Sequence, residues 1–300
     1  MTRSIKSEII AVAAIGLAAM LVFANWNRLT LWLTLTYDSA ALADQDSIIL
    51  ADHVVTIEAK PIAGLTRNVS GLTYNSTTGT LFTTINRPAG LAELSLDGRL
   101  LRHVALPSDW DAEGIAHVQD DLFIIADEGG SRLHWIRLAV GNQVIHEQTT
   151  DLSSDWKAWP NLGFEGVSWN QARSELLLVN EKWPRRILSV EGLWPPASRA
   201  QIKVREWWPG HLLGISADDL ASITTDADGN LILLSQETGI VLRYGRDGDL
   251  SGVLPLWRGF SGLKENIGQA EGITITPDGS IYIVSEPNLF YRLSPRASGP

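Results

Sequence analysis

Residues 269–293 read QAEGITITPDGSIYIVSEPNLFYRL, a stretch in which three runs rich in β-branched and aromatic residues are separated by short polar segments. Side chains of these types favour β-strands. Asp278-Gly279 stands between the first two runs, and this dipeptide is a strong signal for a tight hairpin turn. Residues 269–293 therefore predict a meander of three antiparallel strands.

The same pattern occurs four more times upstream, so the chain from residue 53 onward is built from repeats. In each repeat a first apolar run leads through a turn into a second apolar run. The first runs of the five repeats begin at Ser70, Glu113, Glu165, Ala221 and Glu271. Four short strands per repeat, at a spacing of about 40 to 50 residues, are typical of propeller blades. The sequence therefore predicts an all-β protein with a five-bladed β-propeller over residues 53–300.

The two ends of the repeat region predict how the ring of blades closes. The fifth repeat has three strands and then reaches Ser294-Pro295, so its outer strand is missing. Residues 53–59 (HVVTIEA) form a strand-like run that has no partner of its own. We expect this run to complete the last blade, because closure hides strand edges that would otherwise invite aggregation. In the alternative architecture of two β-sandwiches, the strand at residues 53–59 would have no place in either sheet.

The composition excludes or disfavours several kinds of site. The chain has no cysteine, which excludes disulfides, zinc–thiolate centres, iron–sulfur clusters and cysteine nucleophiles. Lys and Arg total 24 against 34 for Asp and Glu, and a formal net charge of −10 argues against nucleic acid as a partner. The sequence contains neither a Gly-x-Ser-x-Gly elbow nor a His-Glu-x-x-His motif, so it lacks the common signatures of serine hydrolases and zinc proteases.

The N-terminal region predicts a membrane anchor. Residues 9–24 (IIAVAAIGLAAMLVFA) are uncharged and almost long enough to span a bilayer as one helix, and Arg3 and Lys6 precede them. Basic residues on that side favour a cytoplasmic N-terminus. We therefore expect a single-pass anchor over residues 1–24 in a bacterial inner (plasma) membrane, a juxtamembrane linker over residues 25–52 and a periplasmic propeller. A cleavable signal peptide ending near residues 41–43 is the alternative.

Two columns of polar residues recur at equivalent places in the repeats. The first column, at the start of each first strand, reads Ser70, Glu113, Glu165, Ala221 and Glu271. The second, just beyond each second strand, is read as Asn86, Asp127, Glu181, Gln236 and Glu286. Antiparallel pairing brings these strand ends together on one side of the disc. The alignment therefore predicts six carboxylates at one channel mouth, from Glu113, Glu165, Glu271, Asp127, Glu181 and Glu286, with Ser70, Asn86 and Gln236 lining the channel beside them.

Such a gathering of like charges requires compensation, either by protonation of some carboxylates, by basic partners or by a bound cation. Basic partners are scarce in the two columns, so a bound cation is the preferred interpretation. Because neither column contains His or Cys, the ligands would be oxygen atoms, which favours a hard cation, and calcium suits variable shells of several carboxylates. A structural alternative is that each Glu-Gly pair marks a β-bulge or a backbone contact between blades.

Several motifs resemble those of a known family. They are residues 68–72 (NVSGL), 84–88 (TINRP), 163–166 (GFEG), 269–272 (QAEG) and 283–288 (IVSEPN), with 290–292 (FYR) after them. Together they make residues 53–295 similar to the SdiA-regulated family of bacterial proteins. This resemblance implies a membrane-tethered five-bladed propeller, distantly similar to NHL-repeat proteins, that carries a calcium site and has no established biochemical role.

Two classes of function follow from these expectations. The first is a binding module that faces the periplasm and docks an envelope protein, a glycan or a small molecule. The second is a metal-dependent hydrolase of lactones or esters that uses an ion at the channel mouth. A purely architectural part of an envelope assembly is a third alternative. An ion with an open coordination position would favour the hydrolase over the other two.

Overall fold

A computed structural model describes residues 10, 12, 14–16, 53–139, 143–151, 163–180, 185–194, 202–207, 217–245 and 247–296. Within these residues the chain forms twenty β-strands arranged in five four-stranded antiparallel sheets. The strands are β1 (His53–Pro61), β2 (Val69–Asn75), β3 (Thr80–Asn86), β4 (Ala89–Leu94), β5 (Leu100–Ala105), β6 (Ala112–Gln119), β7 (Leu122–Asp127), β8 (Arg132–Ala139), β9 (Gln143–Asp151), β10 (Phe164–Asn170), β11 (Glu175–Asn180), β12 (Arg186–Glu191), β13 (Lys203–Trp207), β14 (Ser222–Thr225), β15 (Leu231–Ser235), β16 (Ile240–Tyr244), β17 (Leu250–Pro255), β18 (Ala270–Ile275), β19 (Ile281–Ser285) and β20 (Leu289–Pro295).

The sheets are the five predicted blades. Strands β2–β5, β6–β9, β10–β13 and β14–β17 form blades 1 to 4, each as a meander in chain order. The innermost strands β2, β6, β10, β14 and β18 contact one another in sequence, and β18 returns to β2. This ring of contacts confirms the all-β five-bladed propeller.

Blade 5 closes the ring in the predicted way. Its strand order is β1-β20-β19-β18, so the first described strand is the outermost strand of the last blade. The register pairs His53 with Pro295 at one end and Pro61 with Leu289 at the other. The strand extends two residues beyond the predicted run and ends at Pro61, which has no N–H to donate to a further pair.

The hairpin turns follow their sequence signals. The glycine of the predicted Asp278-Gly279 turn has a φ of 78°, and the glycines of three further Asp-Gly turns, Gly98, Gly229 and Gly248, also have positive φ values of 74°, 77° and 91°. Residues with a Cβ rarely adopt this conformation, so glycine is suited to these positions.

The hydrophobic core is divided into five parts, and each part lies between two adjacent blades. The cluster between blades 1 and 2 contains Phe82 and Phe123, with ring centroids 4.7 Å apart. The cluster between blades 2 and 3 contains Trp135, which is fully buried. Because each blade packs on both neighbours, the inner strands are held in a fixed ring, and this ring positions the polar residues at the channel mouths.

The predicted anchor and linker lie almost entirely outside the described residues. Among the residues that are described, no helix is long and apolar enough to cross a membrane. The anchor over residues 1–24 and the linker over residues 25–52 therefore stay predictions.

Candidate metal site

The start of each innermost strand is irregular where the first polar column was predicted. In β10, Phe164 pairs with Asn180 and Gly166 pairs with Val179, so β10 contains one extra residue relative to its partner strand. In β18 the extra residue lies between Ala270 and Gly272. Similar shifts follow Val69 in β2 and Ala112 in β6. These are β-bulges, so the structural alternative for the Glu-Gly pairs is confirmed.

The glycine of each pair allows the inner strands of neighbouring blades to approach closely. A Cβ on Gly71 would lie 2.6 Å from the carbonyl oxygen of Glu113, and one on Gly114 would lie 2.6 Å from that of Glu165. Gly272 stands in the same relation to the carbonyl oxygen of Ser70, which closes the ring. The repeated glycine therefore has a packing role between blades.

Glu113 is held by the two polar residues of the preceding blade. Ser70 Oγ donates to Oε2 of Glu113 at 2.6 Å, and Asn86 Nδ2 donates to Oε1 at 2.7 Å. Asn68 Nδ2 in turn donates to Oδ1 of Asn86 at 2.8 Å, which fixes the orientation of that amide. The predicted meeting of the two columns is therefore present between blades 1 and 2, and only 8% of Glu113 is exposed.

Three carboxylates converge around this position. One oxygen from each of Asp111, Glu113 and Glu128 lies within 4.8 Å of the other two. We call these three residues the acidic triad. Burial raises the pKa of Glu113, and the charges of Asp111 and Glu128 raise it further, against the hydrogen bonds from Ser70 and Asn86. Among the described residues, no second group of three acidic or histidine side chains meets this distance.

Within the described part of the chain, basic compensation of the acidic triad is weak. Arg87 Nη2 lies 3.2 Å from Oδ2 of Asp111, but the arginine side chain is 74% exposed. Exposed ion pairs contribute about 0–1 kcal/mol. The arrangement therefore concentrates negative charge that a cation could neutralise, and its donors are all oxygen atoms. No particular ion is identified by this geometry.

Blade 2 differs by one residue from the alignment that the sequence suggested. The N–H groups of Asn86, Glu128 and Glu286 donate to equivalent carbonyl oxygens at 3.2, 3.1 and 3.0 Å. Glu128, rather than Asp127, is therefore the second-column residue of blade 2. Side chains alternate between faces along a strand, so this one-residue difference sends the side chain of Asp127 to another environment.

Asp127 ends β7 and is buried among partners of its own blade. The N–H of Asp111 donates to its Oδ1 at 3.0 Å, and Nε2 of His134 lies 3.2 Å from its Oδ2. Arg132 Nη1 lies 3.9 Å from the same oxygen. His134 also stacks on Trp110 with ring centroids 3.6 Å apart. These contacts give Asp127 a structural role at the β7–β8 turn.

The remaining predicted ligands are not drawn into the acidic triad. Glu165 and Glu271 lie half-buried at their bulges in blades 3 and 5. Glu286 belongs to the second column of blade 5, and Glu181 lies outside the described residues. Whether these four bind a metal stays a prediction.

Blade 4 uses an aspartate that the two predicted columns do not contain. Asp219 is 2% exposed and accepts hydrogen bonds from Ser235 Oγ at 2.5 Å and from the N–H of Gln236 at 3.1 Å. Asp219 and Asp111 each stand two residues before the first column, at positions 221 and 113 respectively. The offset that Asp111 and Asp219 share is a sequence signal for Asp111, but only two of the five repeats have an acid at this position, and the acidic Glu-Gly pairs are the more prominent pattern.

Several solved structures are similar to this chain. A gluconolactonase from Xanthomonas campestris superimposes with a TM-score of 0.52 at 11% identity, covering 83% of this chain and 91% of that chain. A streptogramin B lyase matches with a TM-score of 0.44 at 14% identity, covering 83% and 76%. A chain of a nidogen–laminin complex matches with a TM-score of 0.47 at 12% identity, covering 78% and 85%. At such low identity the gluconolactonase likeness shows a shared propeller fold alone.

A family model covers most of the chain. The family model described as SdiA-regulated matches residues 45–294, which include all twenty strands except the last residue of β20. The chain therefore belongs to the SdiA-regulated family.

Proposed function

We propose that this protein is a calcium-binding propeller that is tethered to the bacterial inner membrane and acts as a binding module in the periplasm. The observation that carries the proposal is the convergence of Asp111, Glu113 and Glu128, whose carboxylate oxygens lie within 4.8 Å of one another. Six to eight oxygen ligands surround calcium in proteins, and carboxylates are prominent among them.

The surroundings of Glu113 fit a cation site. Ser70 and Asn86 each use one acceptor position on the carboxylate, and each oxygen retains a second lone pair for a cation. The two hydrogen bonds also fix the orientation of the side chain before a cation binds. Calcium would remove the repulsion that now contributes to the raised pKa of Glu113.

The exposure of the acidic triad favours recognition of a second molecule. Glu113 is buried, whereas Asp111 and Glu128 are half-buried and reach solvent. Three side chains cannot complete a calcium shell, so the open side would be filled by water or by oxygen atoms of a ligand. An envelope protein, a glycan or an oxygen-rich small molecule are the partners that we propose for this mouth.

A calcium titration tests the site. Millimolar calcium added to the purified protein in place of EDTA should raise the melting temperature by about 5 °C, because ligand at 100 times its Kd stabilises by about 2.7 kcal/mol. Glu113→Gln should remove at least half of this shift. Glu147→Gln is the matched control, since it removes a carboxylate of the same blade that pairs with Arg137 away from the acidic triad.

Two results would count against the acidic triad. The absence of any calcium effect on the wild-type protein would remove the ion from the proposal. A calcium shift that survives Glu113→Gln but is lost in the double variant Glu165→Gln, Glu271→Gln would move the site to the ligands predicted from the repeats.

A metal-dependent hydrolase is the second candidate, and the half-buried state of Asp111 and Glu128 favours it. A bound cation would act there as a Lewis acid toward a carbonyl oxygen. A carboxylate of the triad that is not engaged in binding could accept a proton from water. Calcium-dependent hydrolysis of a lactone or aryl ester that Glu113→Gln abolishes would support this candidate, and wild-type protein without turnover would exclude these substrates.

The proposed location rests on the apolar N-terminal segment. The described residues of that segment, 10, 12 and 14–16, are helical, and Ile10, Val12 and Ile15 expose about 70% of their surface. We expect the protein to remain in the membrane fraction after an alkaline carbonate wash and to be digested when protease is added to spheroplasts. Release by carbonate, or protection from the protease, would contradict a periplasmic anchored form.

A further inference from the structure

The other end of the central channel contains a cavity that the acidic triad does not share. The triad lies at the beginnings of the inner strands, whereas the cavity is lined where those strands end, at residues 73–74, 76–77, 117–120, 168–172, 224–227 and 274–277. All five blades contribute to it. Its volume is about 390 Å³, which is within the range of about 300–1,000 Å³ for sites of small molecules.

Four of the blades place a hydroxyl at the same register position in this cavity. These residues are Thr73, Ser168, Thr224 and Thr274, and we call them the hydroxyl ring. They pair across their blades with Phe82, Leu177, Ile232 and Tyr282. In blade 2 the corresponding residue is Ala116, which pairs with Ile124.

Two members of the hydroxyl ring join neighbouring blades and still have a proton to donate. The N–H of His117 donates to Thr73 Oγ1 at 3.1 Å, and the N–H of Tyr74 donates to Thr274 Oγ1 at 3.1 Å. In both bonds the hydroxyl is the acceptor. Its own O–H is therefore available to an acceptor in the cavity.

The other two members have no protein partner within the described part of the chain. Ser168 and Thr224 are 7% and 8% exposed, and neither hydroxyl makes a hydrogen bond to a described residue. Each can donate one hydrogen bond and accept two. Both residues line the cavity, where water or the hydroxyl groups of a polar ligand can satisfy these hydrogen-bonding positions.

The walls of the cavity are close to electrically neutral. No Lys or Arg is among the lining residues, which disfavours phosphate or carboxylate ligands. Asp226 is already paired with Arg243, whose Nε and Nη2 donate to it at 3.0 and 2.7 Å. Burial lowers the pKa of His117, which keeps its ring neutral, and its Nε2 lies 3.0 Å from the carbonyl oxygen of Asp120. Asp120 remains as one exposed carboxylate at the rim.

We propose that this cavity is a second binding site, for a neutral polyhydroxylated molecule of the size of a mono- or disaccharide. The hydroxyl ring would supply both donors and acceptors to the ligand hydroxyls, and the amide of Gln119 extends this set at a strand end. The site does not depend on the cation proposed for the acidic triad, because the two lie at opposite ends of the inner strands.

The experiment is calorimetric titration of the purified full chain in EDTA with glucose, N-acetylglucosamine, maltose and cellobiose. At least one of these should bind with a Kd of millimolar or tighter, and the double variant Ser168→Ala, Thr224→Val should weaken that binding at least tenfold. If the double variant fails to fold, Thr224→Val alone is the test, because it preserves side-chain volume. This single variant should weaken saccharide binding by a smaller factor. Thr83→Val, at a buried threonine outside the cavity, is the control and should bind like wild type.

Several results would overturn the proposal. They are the absence of binding by all four saccharides, unchanged affinity in both hydroxyl variants, or tighter binding of inorganic phosphate or spermidine than of any saccharide. Loss of saccharide binding in Glu113→Gln but not in Thr224→Val would place the ligand at the acidic triad instead. If saccharides bind in EDTA and calcium does not change the melting temperature, the proposed calcium site is refuted and the cavity proposal is supported.

Discussion

Glu113 affects both the stability of the protein and the calcium binding proposed for it. Its carboxylate is buried, receives hydrogen bonds from Ser70 and Asn86 of the preceding blade, and lies beside Asp111 and Glu128. Burial is the largest cause of its raised pKa. The charged form is therefore less favourable in the folded protein than in the unfolded chain, unless a cation is bound.

This raised pKa predicts a specific dependence of stability on pH. Between the ordinary pKa of a glutamate and the raised value, the folded protein binds a proton that the unfolded chain has lost, so stability falls as pH rises through that window. Glu113→Gln removes this contribution. In EDTA we expect the variant to gain stability relative to wild type as pH rises through this window.

Urea unfolding of both proteins at several values between pH 4 and pH 8 measures the difference, since carboxylates common to both cancel. A difference in unfolding free energy that stays constant over this range would show that Glu113 titrates normally. Calcium should reverse the order at neutral pH, because only the wild-type carboxylate can bind the ion strongly.

At the residue scale the sequence predicts which strand ends meet but not every side chain that occupies them. Ser70 and Glu113 lie at the starts of innermost strands and Asn86 lies at the end of the strand beside one of them, so antiparallel pairing brings all three to the same side of the disc. Glu128 was missed because two consecutive acids, Asp127 and Glu128, stand at the end of the second strand of blade 2, and a spacing alone does not tell which of them continues the column. The hydrogen bond from its N–H to Asp111 resolves this, and that bond requires three-dimensional structure.

At the element scale, the bulged starts of the inner strands determine how tightly the blades pack. Gly71, Gly114, Gly166 and Gly272 each lie against the backbone of the next blade. Blade 4 has Ser222 in this place, and the N–H of Ile273 donates to its hydroxyl at 3.4 Å. In blade 4 a hydrogen bond to Ser222 therefore replaces the close backbone packing that glycine allows in the other four blades.

Gly114→Ala should therefore destabilise the protein strongly. The new Cβ would lie 2.6 Å from the carbonyl oxygen of Glu165 and 2.9 Å from the N–H nitrogen of Val167, so two inner strands must separate. Overpacking of this kind costs about 1–3 kcal/mol, and we expect the upper end because the obstacles are backbone atoms. Thermal and urea unfolding measure the loss.

Gly268→Ala is the matched control for this substitution. A Cβ at position 268 would have no atom within 4 Å, and this glycine has no positive φ. Its unfolding free energy should stay within about 0.5 kcal/mol of wild type. Equal effects of the two substitutions would show that contact between the inner strands is not what the repeated glycine provides.

The four residues of the hydroxyl ring are regularly spaced in the sequence, but this spacing did not indicate a binding site. Thr73, Ser168, Thr224 and Thr274 each stand three residues after the first column, so their spacing is regular. Threonine is common in strands because it is β-branched, and a threonine column by itself indicates only β-structure. The cavity becomes visible only when the ring of blades is assembled.

At the scale of the whole molecule, the repeats and the missing outer strand were sufficient to predict the architecture. Five incomplete hydrophobic faces can be buried together only in a closed ring, and each of the five core clusters does lie between two blades. The pairing of β1 with β20 followed from counting strands. The identity of an ion and of any ligand did not follow, because fold and bound chemistry are set by different residues.

The pairing of β1 with β20 also has a consequence for biosynthesis. Partners such as Thr56 and Ser294 are 238 residues apart in the chain, so the ribosome makes β1 long before β20 exists. At a rate of synthesis of about 5–20 residues per second, the edge of β1 remains unpaired for roughly 10 to 50 seconds. Glu58 and Lys60 place charges on that strand, and charged side chains discourage pairing with other nascent chains during the delay.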